Sequence, residues 1–147
     1  MQFTEAYEKM LLSGVDDLWR NIAAMPADKL EWKLAEKTRS VREILGEVVG
    51  ATSYNGAVLT ARASVDDAWT SSDGLSLEDL EALHRKNIAE FLDVVKAFPA
   101  EELSDKVVLP WGEMTYFDII SYGYWNTMYH LGQIAYVQMM YGDAEMH

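Results

Sequence analysis

The chain has 147 residues, half of them apolar, no cysteine, and a formal net charge of −12. That length corresponds to about one domain, and the missing cysteines exclude disulfides, thiolate metal sites and a cysteine nucleophile. The acidity argues against nucleic-acid binding, because phosphate backbones attract basic surfaces.

The start, MQFTEAYEKM, has neither a basic n-region nor an apolar h-region, so no signal peptide is expected, and a cytoplasmic protein fits the absence of cysteine. Helix 1 is expected from Thr4 to Met25. Tyr7, Leu11, Val15, Leu18, Ile22 and Met25 form its apolar seam, Thr4 is placed to cap it, and Pro26 ends it. Residues 26–39, PADKLEWKLAEKTR, alternate Leu30, Trp32 and Leu34 with polar residues and read as an extended connector. Trp32 is then expected to pack against the end of the bundle.

Ser40 and Glu43 make a capping box for helix 2, which runs to about Arg62. Glu47 is the one charged residue between Leu45 and Thr60. A lone carboxylate in such a stretch is costly unless it is solvated, paired or metal-bound. Residues 63–75 are a loop rich in Ser, Asp and Gly. Ser76 caps helix 3, whose seam is Leu80, His84, Ile88, Phe91 and Val95. A single histidine on an apolar seam reads as a satisfied core residue. Two short extended pieces are expected around Pro110-Trp111-Gly112, after which Thr115 caps helix 4.

Helix 4 contains the most unusual stretch. From Ile119 to Gly142 there is no Asp, Glu, Lys or Arg. At helical rise the stretch is about 36 Å long, enough to raise a membrane reading. Five tyrosines, three glycines, Asn126, His130, Gln133 and Gln138 make it too polar for hydrocarbon. It reads instead as the central helix of a bundle. Ile119, Gly123, Asn126, His130, Gln133 and Val137 share one face by their spacing, so three hydrogen-bonding side chains point inward and need partners. Four helices and no linker long enough to divide the chain predict an all-α four-helix bundle over residues 1–147, with a longer connection between helices 2 and 3. The apolar helix 4 predicts a homodimer.

The order of these features resembles the DinB-like (YfiT-like) superfamily of four-helix-bundle metalloenzymes. Leu30-Glu31-Trp32-Lys33 with Thr38-Arg39-Ser40, then Ser40-Val41-Arg42-Glu43-Ile44-Leu45-Gly46-Glu47-Val48-Val49, look like its connector and helix 2 signature. The Gly112 turn before Thr115 is similar to its entry to helix 4. Asn126-Thr127-Met128-Tyr129-His130-Leu131-Gly132-Gln133-Ile134 resembles its helix 4 signature, His-x-x-x-His-x-Gly-Gln-Ile. The resemblance implies a divalent metal held by one histidine of helix 2 and two of helix 4, and chemistry with low-molecular-weight thiols. Two of those three positions are substituted here: Glu47 stands in helix 2 and Asn126 at the first position of helix 4, with His130 alone matching.

Glu47, Asn126 and His130 are therefore the candidate metal ligands, and Glu47 and His130 the candidate catalytic pair. An imidazole, a carboxylate and an amide oxygen can hold nickel, zinc or manganese, and the harder set lowers the affinity for zinc and nickel relative to manganese or magnesium. The same residues can instead satisfy one another in a closed polar network. In a third reading they line a metal-free pocket in which Glu47 is a general base. Tyr54, Trp111, Trp125 and Tyr129 either line a pocket beside the site or serve as core and interface. The functional expectation is a metal-dependent transferase acting on a small thiol or electrophile, or else a non-catalytic bundle that binds a small ligand or assembles with a partner.

Overall fold

Tyr7, Leu11, Val15, Leu18 and Ile22 are all buried, and together they make the inner face of α1 (Phe3–Ala24). The same logic of one apolar stripe per helix sets α2 (Val41–Ala61), α3 (Leu77–Ala97) and α4 (Tyr116–Met140). The structure, a computed structural model, describes residues 3–147. It is an all-α four-helix bundle with one small hairpin, β1 (Lys106–Leu109) and β2 (Gly112–Thr115).

Start signals are built as the sequence predicts at three helices. At α2, Ser40 Oγ accepts from Glu43 N at 3.2 Å while Glu43 Oε2 accepts from Ser40 N at 2.6 Å. At α4, Thr115 Oγ1 accepts from Asp118 N at 3.1 Å and Asp118 Oδ2 accepts from Thr115 N at 2.9 Å. Each box satisfies helical N–H groups that have no partner within the helix. Ser76 caps α3 through Asp79 N at 3.0 Å. The expected cap at Thr4 is not formed, because the chain is already helical at Phe3 and Thr4 lies inside the first turn.

Around the bundle the helices neighbour one another in the order α1, α4, α2, α3, so α1 and α2, consecutive in sequence, lie diagonally opposite. The connector between them must therefore cross one end of the bundle. It is not the extended segment that its alternation suggests. A 3-10 turn at Ala27–Lys29 follows Pro26, and a second turn is closed by Thr38 Oγ1, which donates to Ala35 O at 2.8 Å. Leu30 is buried, and Trp32 and Leu34 pack on the core edge. Trp32 meets Tyr141 edge-on at 6.4 Å, where α4 ends, with Lys29 Nζ 5.1 Å over its ring.

The hairpin crosses the other end. Lys106 pairs with Thr115 and Leu109 with Gly112, whose φ of +135° favours glycine. The loop between α2 and α3 folds back over α2 instead of projecting. Ser53 Oγ donates to Ala68 O at 2.9 Å and accepts from Thr70 N at 2.9 Å, which holds the loop to the helix.

Candidate functional site

The site lies where α2 and α4 run side by side near the end covered by the connector. Glu47 projects from the second turn of α2, and His130 from the middle of α4. His130 is 2% exposed, and its Nε2 lies 3.3 Å from Glu47 Oε1. The other ring nitrogen, Nδ1, is 2.8 Å from Gln133 Oε1. An N–H at Nδ1 donating to that amide oxygen leaves the lone pair of a neutral imidazole on Nε2, aimed at a carboxylate. The pair therefore has room for one proton between Nε2 and Oε1.

Burial lowers the pKa of His130, the Arg39 guanidinium lowers it further, and Gln133 opposes them. Arg39, the residue before the Ser40 cap, reaches along the helix and places its guanidinium Nη1 against Glu47 Oε2. A continuous chain Arg39–Glu47–His130–Gln133 results, joining the connector, α2 and α4.

This chain forms one wall of a pocket of about 680 Å³. Leu34, Ile44 and Val137 supply apolar wall, Thr38 and Arg39 the connector side, and Tyr129, Gly132 and Tyr136 the α4 rim. A space of this size, mostly apolar with a few convergent polar groups, suits a small organic molecule.

Of the three expected metal ligands, the structure brings Glu47 and His130 together. Asn126 is buried one turn earlier on α4 and does not line the pocket. Among the described residues no group of three or more His, Cys, Asp or Glu is placed to hold a metal ion. Glu47 already faces a guanidinium, and a second cation beside it is opposed by charge repulsion. The residues present do not fit a divalent ion.

Of the four candidate aromatics, only Tyr129 lines the pocket. Tyr54 is buried under the α2–α3 loop and the hairpin, with ring centroids 6.4 Å from Trp69 and 5.4 Å from Trp111. Trp125 is on the surface, stacked on Tyr129 at 5.1 Å. His84 is a core residue, as its place on the seam predicts, but it is satisfied at one nitrogen only, its buried Nε2 having no hydrogen-bond partner among the described residues. It is 0% exposed, and its Nδ1 accepts from Trp19 Nε1 at 3.0 Å. Arg39 is the participant that sequence reasoning missed. Its signal was a cation placed before the cap, two helical turns from a lone carboxylate.

Fold and pocket together define a four-helix bundle with a cavity between its second and fourth helices. The family model of the DinB superfamily matches residues 11–134, and the chain belongs to that superfamily. No curated protein matches it. Among solved structures it is similar to YjoA, a DinB-like protein of Bacillus subtilis, with a TM-score of 0.76 and 14% identity over 97% of this chain and 96% of that one. It is also similar to YfiT of Bacillus subtilis, described as a probable metal-dependent hydrolase with an unusual four-helix bundle topology. There the TM-score is 0.76 and the identity 10%, over 97% of this chain and 90% of that one. At such identities the likeness is one of fold. No helix among the described residues is long and apolar enough to cross a membrane.

Proposed function

We propose that this chain binds a small molecule in the α2–α4 pocket and transfers a group to or from it, with the Glu47–His130 pair moving the proton and no resident metal. The observation that carries the reading is the 3.3 Å approach of His130 Nε2 to Glu47 Oε1 on the wall of a pocket of about 680 Å³. A small thiol entering the pocket gives its proton to Nε2 as its sulfur attacks an electrophilic carbon; the carbon–sulfur bond forms as the bond to the leaving group breaks, and that group departs with the electron pair, as halide does from an aryl halide. Glu47 then accepts a hydrogen bond from the imidazolium, and Gln133 keeps the ring oriented. The class of substrate is drawn from the resemblance to a family that includes thiol-dependent transferases.

The test is a screen of small thiols against chromogenic aryl halides, run with chelator and with added nickel, zinc or manganese. Turnover that survives the chelator and is lost in His130→Gln supports the reading. Turnover that requires an added metal overturns its metal-free part.

A second reading is favoured by the same contacts. Arg39, Glu47, His130 and Gln133 satisfy one another, so a non-catalytic bundle that binds a small ligand or a partner also accounts for them. It predicts no turnover in the screen, and His130→Gln then changes stability alone.

A further inference from the structure

Two arginines of this chain meet carboxylates in unequal ways. Arg85 on α3 holds one on each side of its guanidinium. Its Nη1 lies 2.8 Å from Asp16 Oδ1, and its Nε and Nη2 each lie 2.8 Å from Glu81 Oε1. Arg39 makes only the first kind of contact. Its Nη1 faces Glu47 Oε2, and its side chain has no other ion pair or hydrogen bond among the described residues. A guanidinium has N–H donors on each of its nitrogens, and a two-donor edge matches the two oxygens of a carboxylate. The Nε–Nη2 edge that Glu81 takes on Arg85 therefore has no protein partner on Arg39.

The surroundings of that edge are those of a ligand site. The Arg39 side chain is 60% exposed, and among the described residues it is the only Arg or Lys lining the α2–α4 pocket. Leu34, Ile44 and Val137 line the same pocket and offer a small molecule an apolar wall. The net charge of −12 opposes an anion over most of the surface. Those charges are screened beyond about 8–10 Å, whereas a guanidinium contact is local. Glu47 beside Arg39 does not bar a second carboxylate, since Arg85 carries two.

We infer that the α2–α4 pocket takes a small carboxylic acid with an apolar body, its carboxylate on the free edge of Arg39 and its body against Leu34, Ile44 and Val137. The inference rests on the reading of this pocket as a ligand site and names the class of ligand. Glu47 links the parts: its Oε2 faces Arg39, and its Oε1 lies 3.3 Å from His130 Nε2. Only the width of one carboxylate and its two contacts separate the anchor from the nitrogen that takes the proton. The reacting carbon is therefore a few bonds from the ligand's carboxylate. In the transfer proposed above, the acid is the electrophilic partner, because its body needs the apolar wall, whereas a small thiol needs only Nε2. Arg39 is then a specificity-determining residue, which separates an acid from its neutral analogue.

The test is a binding measurement on the full chain, and it needs no turnover. Titration calorimetry at neutral pH compares phenylacetate with phenylacetamide, which has the same body without the charge. The acid is expected to bind at least about tenfold more tightly, the worth of one charge-assisted contact. Added salt is expected to erode that preference, and the acid is expected to shift the methyl resonances of Ile44 and Val137. In Arg39→Gln, acid and amide are expected to bind equally. The salt response and the methyl shifts are read on the unmodified chain, so they hold even for a variant that fails to fold. Equal binding of acid and amide by the unmodified chain overturns the inference and leaves the pocket to another class of ligand. A preference for the acid that survives in a folded Arg39→Gln, or acid binding that leaves those methyl signals in place, puts the anion elsewhere and overturns it too. No binding of either, beside thiol–aryl halide turnover that is lost in His130→Gln, overturns the inference alone. No binding and no such turnover removes the reading of the pocket with it.

Discussion

The indole Nε1 of Trp69 occupies the space that a Cβ on residue 50 would fill. Gly50 thus gives the α2–α3 loop a seat on the helix, and Gly46, one turn earlier, does the same for Ser72, whose Oγ lies 2.6 Å from the position of a Cβ there. Replacing a mid-helix glycine by alanine ordinarily stabilises by up to about 1 kcal/mol. Here Gly50→Ala is expected to destabilise by about 1–3 kcal/mol, because Trp69 must leave. Gly56→Ala in the same helix, whose Cβ finds Phe91 at an ordinary 3.9 Å, is expected to be neutral or stabilising. Chemical denaturation of the two variants, with tryptophan fluorescence as the signal, checks the opposite signs.

His84 makes the fold sensitive to acid. Burial pushes its pKa from 6.5 down to about 4, and the neighbouring Arg85 charge adds to the effect. The folded value lies below the unfolded one, so the unfolded chain binds the proton more tightly. The neutral histidine's full contribution is present above pH 6.5 and is lost as the pH falls toward 4. The loss amounts to about 3 kcal/mol. Melting curves of the protein and of His84→Leu across that range are expected to differ in slope, with the variant less sensitive. Equal slopes would assign the acid response to the carboxylates.

His130→Ala leaves Glu47 and Gln133 without their shared partner. A loss of about 1–3 kcal/mol is expected from the orphaned groups. Gln133→Ala removes only the bond at Nδ1, so about 1 kcal/mol is expected. Urea unfolding midpoints at constant m-value provide the comparison.

Arg39 supplies the positive charge beside Glu47 that a metal ion would otherwise provide. Treatment with chelator is therefore expected to leave the melting temperature unchanged, as is later addition of zinc, nickel or manganese. An ion binding the folded state at a hundred times its Kd adds about 2.7 kcal/mol, which a melting curve resolves easily. A metal-dependent rise in Tm that disappears in His130→Ala would contradict the expectation.

The helices were legible in the sequence because their signals are local. Ser40 with Glu43 is read at a spacing of three residues and Thr115 as a cap, and both form in the structure, where Asp118 completes the box at Thr115. The burial of His84 and His130 followed from helical periodicity alone. The connector was misread because the alternation of Leu30, Trp32 and Leu34 is shared by an extended strand and by a chain of turns crossing the end of a bundle. The choice between them depends on α1 and α2 being diagonal neighbours, which no local signal encodes.

The sequence by itself determined the class of fold and the family, and it singled out Glu47 and His130, which line the α2–α4 pocket, because periodicity, caps and motif spacing act along one helix at a time. Only the tertiary structure decided what those residues meet. Arg39 reaches Glu47 because the connector turns where it does, and Asn126 stays out of the pocket because it lies one turn before His130 on α4, away from the connector end. Contacts made across helices depend on the relative placement of whole elements, and that placement is fixed by the packing of the entire core.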